Sequence, residues 1–112
     1  MVDTSQSAID KFSDISGDAN TIHSGNFSGN DLFDDTVVPG VQVLGWVSAE
    51  LAALDGGTTI LLGFDEVSFD KPVYVDDDVD VTLGEIDNGE VVFRVFTDGD
   101  ICAEGIAKVI QV

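Results

Sequence analysis

The chain has 112 residues, 44% of them apolar, with 22 acidic side chains against 4 basic ones and a formal net charge of −18. A pI near 4.1 leaves no basic footprint for nucleic acid or for an anionic lipid surface. A mean hydropathy of +0.21 argues against a disordered acidic tail, so the composition describes one globular domain over residues 1–112, an apolar interior inside an acidic skin.

Ala8, Ile9, Phe12 and Ile15 recur at helical spacing with Asp and Ser between them, which predicts a short amphipathic helix over residues 8–16 ending near Gly17. Residues 17–36 are rich in Gly, Asn, Ser and Asp, with Phe27, Leu32 and Phe33 as scattered anchors. A loop of that length in so small a domain points to function. Pro39 then opens an apolar segment, Val41 to Leu54, whose clearly polar members are Gln42, Ser48 and Glu50. Proline suits a first helical turn because its missing N–H would be unpaired there anyway. A helix apolar on nearly every face is expected to be buried on nearly every face. Asp55-Gly56-Gly57 stops it.

The remainder reads as strands: residues 58–69, then Val79, Val81 and Leu83 alternating with Asp80 and Thr82, then residues 91–96 and 101–112. Asn88-Gly89 and Asp98-Gly99 are hairpin turns, because both dipeptides tolerate positive φ. The expectation is an α+β domain, an antiparallel meander of about four strands wrapped round a long buried central helix. Cys102 stands alone in an apolar run and is expected to be a buried, inert thiol. Neither a basic leader segment nor an apolar run of spanning length is present, which points to the cytoplasm. The run Asp76-Asp77-Asp78 with Asp80 lacks the alternating oxygen ligands, central Gly and closing Glu of a calcium loop. It is expected to be a solvated turn, and no metal site is expected.

Eighteen net negative charges on a small domain repel one another at low ionic strength, whereas in molar salt the Debye length falls to about 3 Å. The pervasive acidity is therefore expected to be an adaptation to a salty, halophilic cytoplasm.

His23, the only histidine, lies five residues after Asp18 in Gly17-Asp18-Ala19-Asn20-Thr21-Ile22-His23. At helical spacing the two would point well away from each other, so they can converge on one water only from a loop. Gly40 follows Pro39 at the start of the apolar helix, where unpaired N–H groups and the positive end of the dipole suit a developing oxyanion. Ser48, inside that helix, needs a hydrogen-bond partner once buried.

These residues resemble the MaoC-like dehydratases and (R)-specific enoyl-CoA hydratases. The likeness rests on Gly17-Asp18-x-Asn20-x-Ile22-His23, then Val38-Pro39-Gly40 and Ser48, then Phe69-x-Lys71-Pro72-Val73-Tyr74-Val75-x-Asp77. It runs from about Phe12 to Val112. It implies the hotdog fold and reversible syn hydration of a trans-2-enoyl coenzyme A thioester to the (R)-3-hydroxyacyl form. Asp18 and His23 would be the catalytic pair, the Gly40 N–H the oxyanion donor, and Ser48 and Asn20 supporting residues. It further implies a homodimer with acyl-CoA as substrate, and no cofactor. Thr21 stands where the family usually has Pro, Pro39 where His is frequent, and Asp76 where Gly is usual. The family's extra N-terminal segment, which supplies a strand, is expected to be missing. A hotdog acyl-CoA thioesterase and a non-catalytic acyl-CoA-binding or partner module are the alternative readings. The Asp-x-Asn-x-x-His loop favours hydration over the first of these.

Overall fold

The computed structural model describes residues 2–112. Ser5 caps the first helix, its Oγ accepting from the Ala8 N–H at 3.2 Å, and α1 runs Gln6–Ser16. Gly17 closes it in the left-handed region (φ 79°), donating to the Ser13 carbonyl. Only Ile9 of this helix is fully buried, and Ile15 is 88% exposed, contrary to the expected apolar face. Six residues after Ile9 is about 120° off its direction on a helical wheel, which turns Ile15 towards solvent.

The second helix, α2, spans Gly40–Ala52 from Pro39 as its N-cap. Val43, Val47 and Leu51 repeat every four residues and are buried together. The opposite side is open, with Val41 65% exposed and Gly45, Ala49 and Glu50 exposed as well. The expectation of burial on nearly every face is thus corrected, and so is the long helix. Thirteen residues span roughly 20 Å, an ordinary length. A four-stranded sheet meets such a cylinder from one side only. A short 3₁₀ turn at Leu54–Gly56 follows, with Asp55 and Gly57 both at positive φ.

The strands are β1 (Thr59–Phe69), β2 (Val79–Leu83), β3 (Glu90–Thr97) and β4 (Asp100–Gln111), all antiparallel. Their order is β1-β4-β3-β2, which corrects the simple meander. Only β2, β3 and β4 follow one another through hairpins, and Asn88, Gly89, Asp98 and Gly99 take the positive φ that such turns need. The segment 70–78 is too long for a tight turn and contains Pro72, so it carries the chain from one sheet edge to the other. Two register shifts kink β1, and α2 packs against both edge strands, β1 and β2, so the sheet curls around it.

Alternation along the strands separates the two faces. Val91, Phe93, Val95, Ala103, Ala107 and Val109 point to the helix and form one core with Ile9, Val43, Val47 and Leu51. Phe93 is fully buried, edge-on to Phe64 with ring centroids 5.6 Å apart. It also lies over Gly105, where any Cβ would stand 3.0 Å from its ring. The outer face carries Ile60 and its register partner Ile110, each about half exposed, and further along β4 the cross-strand pair Arg94 and Glu104.

The acidic run behaves as a turn. The Tyr74 N–H donates to Asp77 Oδ2 at 2.9 Å, Asp76 takes φ 66°, and the Thr4 hydroxyl donates to the Asp77 carbonyl. Among the described residues no group of His, Cys, Asp and Glu could hold a metal ion.

Candidate active site

Sequence order explains how a single histidine becomes fixed. The Asn20 side chain accepts from the Ile22 N–H at 3.2 Å and so caps a 3₁₀ turn, Thr21–His23, inside the segment expected to be a plain loop. The Asp18 carboxylate does the same one step earlier, its Oδ1 accepting from the Asn20 N–H at 3.3 Å. His23 is thereby delivered into the protein, where it is 8% exposed. Its carbonyl accepts from the Gln6 amide on α1 at 3.0 Å, and its Nδ1 lies 2.5 Å from the Val37 carbonyl. A carbonyl can only accept, so Nδ1 carries a proton, and in the neutral ring the lone pair is on Nε2.

That Nε2 faces Asp18 Oδ2 at 3.8 Å. The distance is too long for a direct hydrogen bond. It suits two acceptors that share one small donor seated to one side of both. Asp18 keeps a side chain 37% exposed, so the pair spans the boundary between solvent and interior.

Val37 is itself held on both sides. Its N–H donates to the Ile22 carbonyl at 2.9 Å, and it bridges antiparallel to Tyr74. The Val38 N–H donates to the Val73 carbonyl at 2.8 Å, and the Val75 N–H to the Thr36 carbonyl at 2.9 Å. The Thr36 hydroxyl donates to the Ser24 and Phe27 carbonyls, which gathers the loop over the same strap. The strap leads through Pro39 straight into α2.

His23 and Gly40 line one cavity of about 490 Å³. Its walls are mostly apolar, from Ile22, Phe33, Val37, Val43, Phe69 and Ala103, with Lys71 among the charged residues of its lining. Gly40 opens α2, and the first intrahelical bond is made by the Val43 N–H, so the Gly40 N–H has no partner within the helix. Here the reason for glycine is space. A Cβ on Gly40 would stand 3.0 to 3.3 Å from three carbons of the Phe69 ring, which packs directly on this first turn.

The structure therefore sets Asp18 against His23, with Asn20 capping the turn that carries the histidine, and places His23 and Gly40 on the wall of one apolar cavity. It does not bring Ser48 to them. That residue lies about 12 Å further along the helix axis and outside the cavity wall. The Cys102 side chain is buried as expected, its Sγ 3.0 Å from the Thr97 hydroxyl, but it also forms part of the wall. Sequence reasoning missed Gln6 and Val37 as the groups that aim the histidine. Backbone carbonyls leave no residue signature, and Gln6 gave no signal beyond its place on α1.

The family model described as "MaoC like domain" matches residues 1–99. No curated protein matches. Among solved structures, the (R)-hydratase from A. caviae involved in PHA biosynthesis is similar at 26% identity and a TM-score of 0.84, covering 99% of this chain and 90% of that one. A protein from Archaeoglobus fulgidus is similar at 28% identity and a TM-score of 0.84, covering 98% of this chain and 72% of that one. A dehydratase heterocomplex from Xenorhabdus doucetiae shares the fold at 17% identity and a TM-score of 0.63, over 84% of this chain and 80% of that one. The family match and the (R)-hydratase neighbour identify the four-stranded sheet curled on α2 as the hotdog fold. By the extent of the family match, the chain belongs to the MaoC-like domain family.

Proposed function

We propose that the protein is an (R)-specific enoyl-CoA hydratase, reversibly adding water to a trans-2-enoyl-CoA to give the (R)-3-hydroxyacyl thioester. The observation that carries this reading is the Asp18–His23 pair, 3.8 Å apart, beside an apolar cavity lined by His23 and by the free N–H end of α2. A water about 2.8 Å from both Oδ2 and Nε2 fits the apex of that triangle and donates one hydrogen to each. With Nδ1–H engaged by Val37, the Nε2 lone pair is free to take one of those protons.

The water oxygen then bonds to C3 of the enoyl group as its proton passes to the pair. The double-bond electrons move towards the thioester, and the enolate oxygen accepts from the Gly40 N–H. The same pair returns a proton to C2. Oxygen and proton come from one side of the substrate, so the addition is syn, and H₂O is consumed whole. The Asp18 carboxylate stabilises the imidazolium that forms during the transfer. The chemistry calls for proton transfer and oxyanion binding alone, so the reading includes no cofactor.

We place the protein as a homodimer in a halophilic cytoplasm. The unpaired outer edge of β1 and the exposed Val41 on α2 support the first, and the net charge of −18 the second. Among the described residues no helix is long and apolar enough to cross a membrane.

The test follows the ultraviolet absorbance of a short enoyl-CoA in molar KCl and identifies the product by chiral analysis. The (R)-3-hydroxyacyl thioester is the expected product. Release of free coenzyme A without hydration would instead make the protein a thioesterase.

A further inference from the structure

The chain has four cations, and three of them lie away from the cavity. Arg94 faces Glu104 at 3.6 Å and Lys108 faces Asp65 at 4.0 Å, both on the outer face of the sheet. Lys11 belongs to α1. Lys71 alone lines the cavity, with a side chain 55% exposed. Its backbone is anchored, the N–H donating to the Cys102 carbonyl at 3.2 Å, and Pro72 follows it. The side chain thus extends from a fixed point on the rim. Its Nζ rests 2.9 Å from Asp100 Oδ2, and that carboxylate raises the ammonium above its ordinary pKa. The other charged group of the rim, Asp70, is turned to the Ser68 hydroxyl at 3.3 Å.

An apolar cavity with one exposed cation on its rim suits a ligand that is apolar at one end and anionic further out. We propose that Lys71 binds a phosphate of the thioester carrier, exchanging Asp100 for it when a coenzyme A thioester enters. This rests on the cavity being the thioester site. Exposed ion pairs contribute little, so giving up Asp100 costs little, and a phosphate offers more charge and more acceptor oxygens than a carboxylate. Asp100 is then a placeholder that keeps the ammonium beside the rim. Elsewhere the acidic skin repels a polyanion, which leaves Lys71 as the point of electrostatic entry.

The test is calorimetric titration of wild type, Lys71→Gln and Asp100→Asn with coenzyme A, 4′-phosphopantetheine and pantetheine. All are run at a salt concentration where their circular dichroism is the same. Lys71→Gln is expected to weaken coenzyme A about fivefold while leaving pantetheine unchanged. The loss should shrink in molar salt, where exposed charges are screened. Asp100→Asn should tighten coenzyme A, while Asp98→Asn, a change of the same charge on the same hairpin, should not. An equal loss on 4′-phosphopantetheine assigns the contact to the phosphate that coenzyme A shares with carrier proteins; a loss confined to coenzyme A assigns it to the nucleotide and hence to the free coenzyme. The proposal is overturned if Lys71→Gln binds coenzyme A as wild type does, if it loses pantetheine equally, or if wild type does not prefer coenzyme A over pantetheine. Because binding is read without turnover, a protein that binds in this way yet never hydrates would defeat the hydratase reading and leave this one standing.

Discussion

Replacing Gly40 with proline and with alanine separates the two things this residue does, leaving room for Phe69 and presenting an N–H. Both variants add a Cβ that would stand 3.0 Å from the nearest Phe69 ring carbon, so the ring must retreat by about 0.4 Å to reach ordinary contact. Phe69 is 53% exposed, so it has room to move, and the expected change in stability is below about 1 kcal/mol in both cases. Proline is well suited to the first position of a helix, and Pro39 already has the ψ of 136° preferred by a residue that precedes proline. The two variants therefore share the Cβ contact with Phe69, and proline further replaces the N–H by its ring Cδ, so the donor is lost and its position filled. Loss of one oxyanion donor lowers turnover about 10²–10³-fold, so Gly40→Pro should fall below Gly40→Ala by that factor. The assay is enoyl-CoA absorbance at saturating substrate in molar KCl, with thermal melts to confirm that both proteins fold. If the two variants turn over alike while melting alike, the helix terminus does not hold the enolate and the oxyanion argument fails.

Other expectations follow from the same geometry. Asp18→Asn and His23→Ala should each reduce turnover about 10²–10⁴-fold, the first with little change in the melting curve and the second with a lower Tm because the Val37 carbonyl loses its buried partner; full activity in both would remove the pair from the mechanism. Gln6→Leu removes the amide that holds the His23 carbonyl, so kcat should drop by no more than about tenfold with KM unchanged, measured by steady-state kinetics. Phe93→Ala, at a fully buried position, should cost about 3–5 kcal/mol, read as a shift of the chemical unfolding midpoint. Diluting salt from molar to millimolar should lower the melting temperature, each 1 kcal/mol of restored repulsion corresponding to about 4–8 °C in a domain of this size. A salt-independent Tm would refute the reading of the acidic skin.

Much of the site could be read in the chain because its parts are local. Asp18, Asn20 and His23 lie within six residues, and short polar side chains capping nearby N–H groups build the turn without help from the rest of the fold. Gly40 was legible for a similar reason, since a Pro-Gly opening before an apolar run marks a helix start. Ser48 was misleading because a polar residue in an apolar helix says that a partner is needed, without saying where it lies. The parts that escaped are long-range. Val37 acts through a carbonyl, Gln6 reaches across from another helix, and Phe69 meets Gly40 only after β1 has run its length along the sheet edge.

By itself the sequence determined the acidic surface, the two helices, the four strands and both hairpin turns, since composition, periodicity and turn residues act locally. Tertiary structure alone decided that β1 pairs with β4 and that α2 buries only one face. It also set His23 Nε2 3.8 Å from Asp18 Oδ2 and left a single cation on the cavity rim. These outcomes depend on which distant segments the core draws together, and hydrophobic burial is non-directional until the whole sheet has closed on the helix.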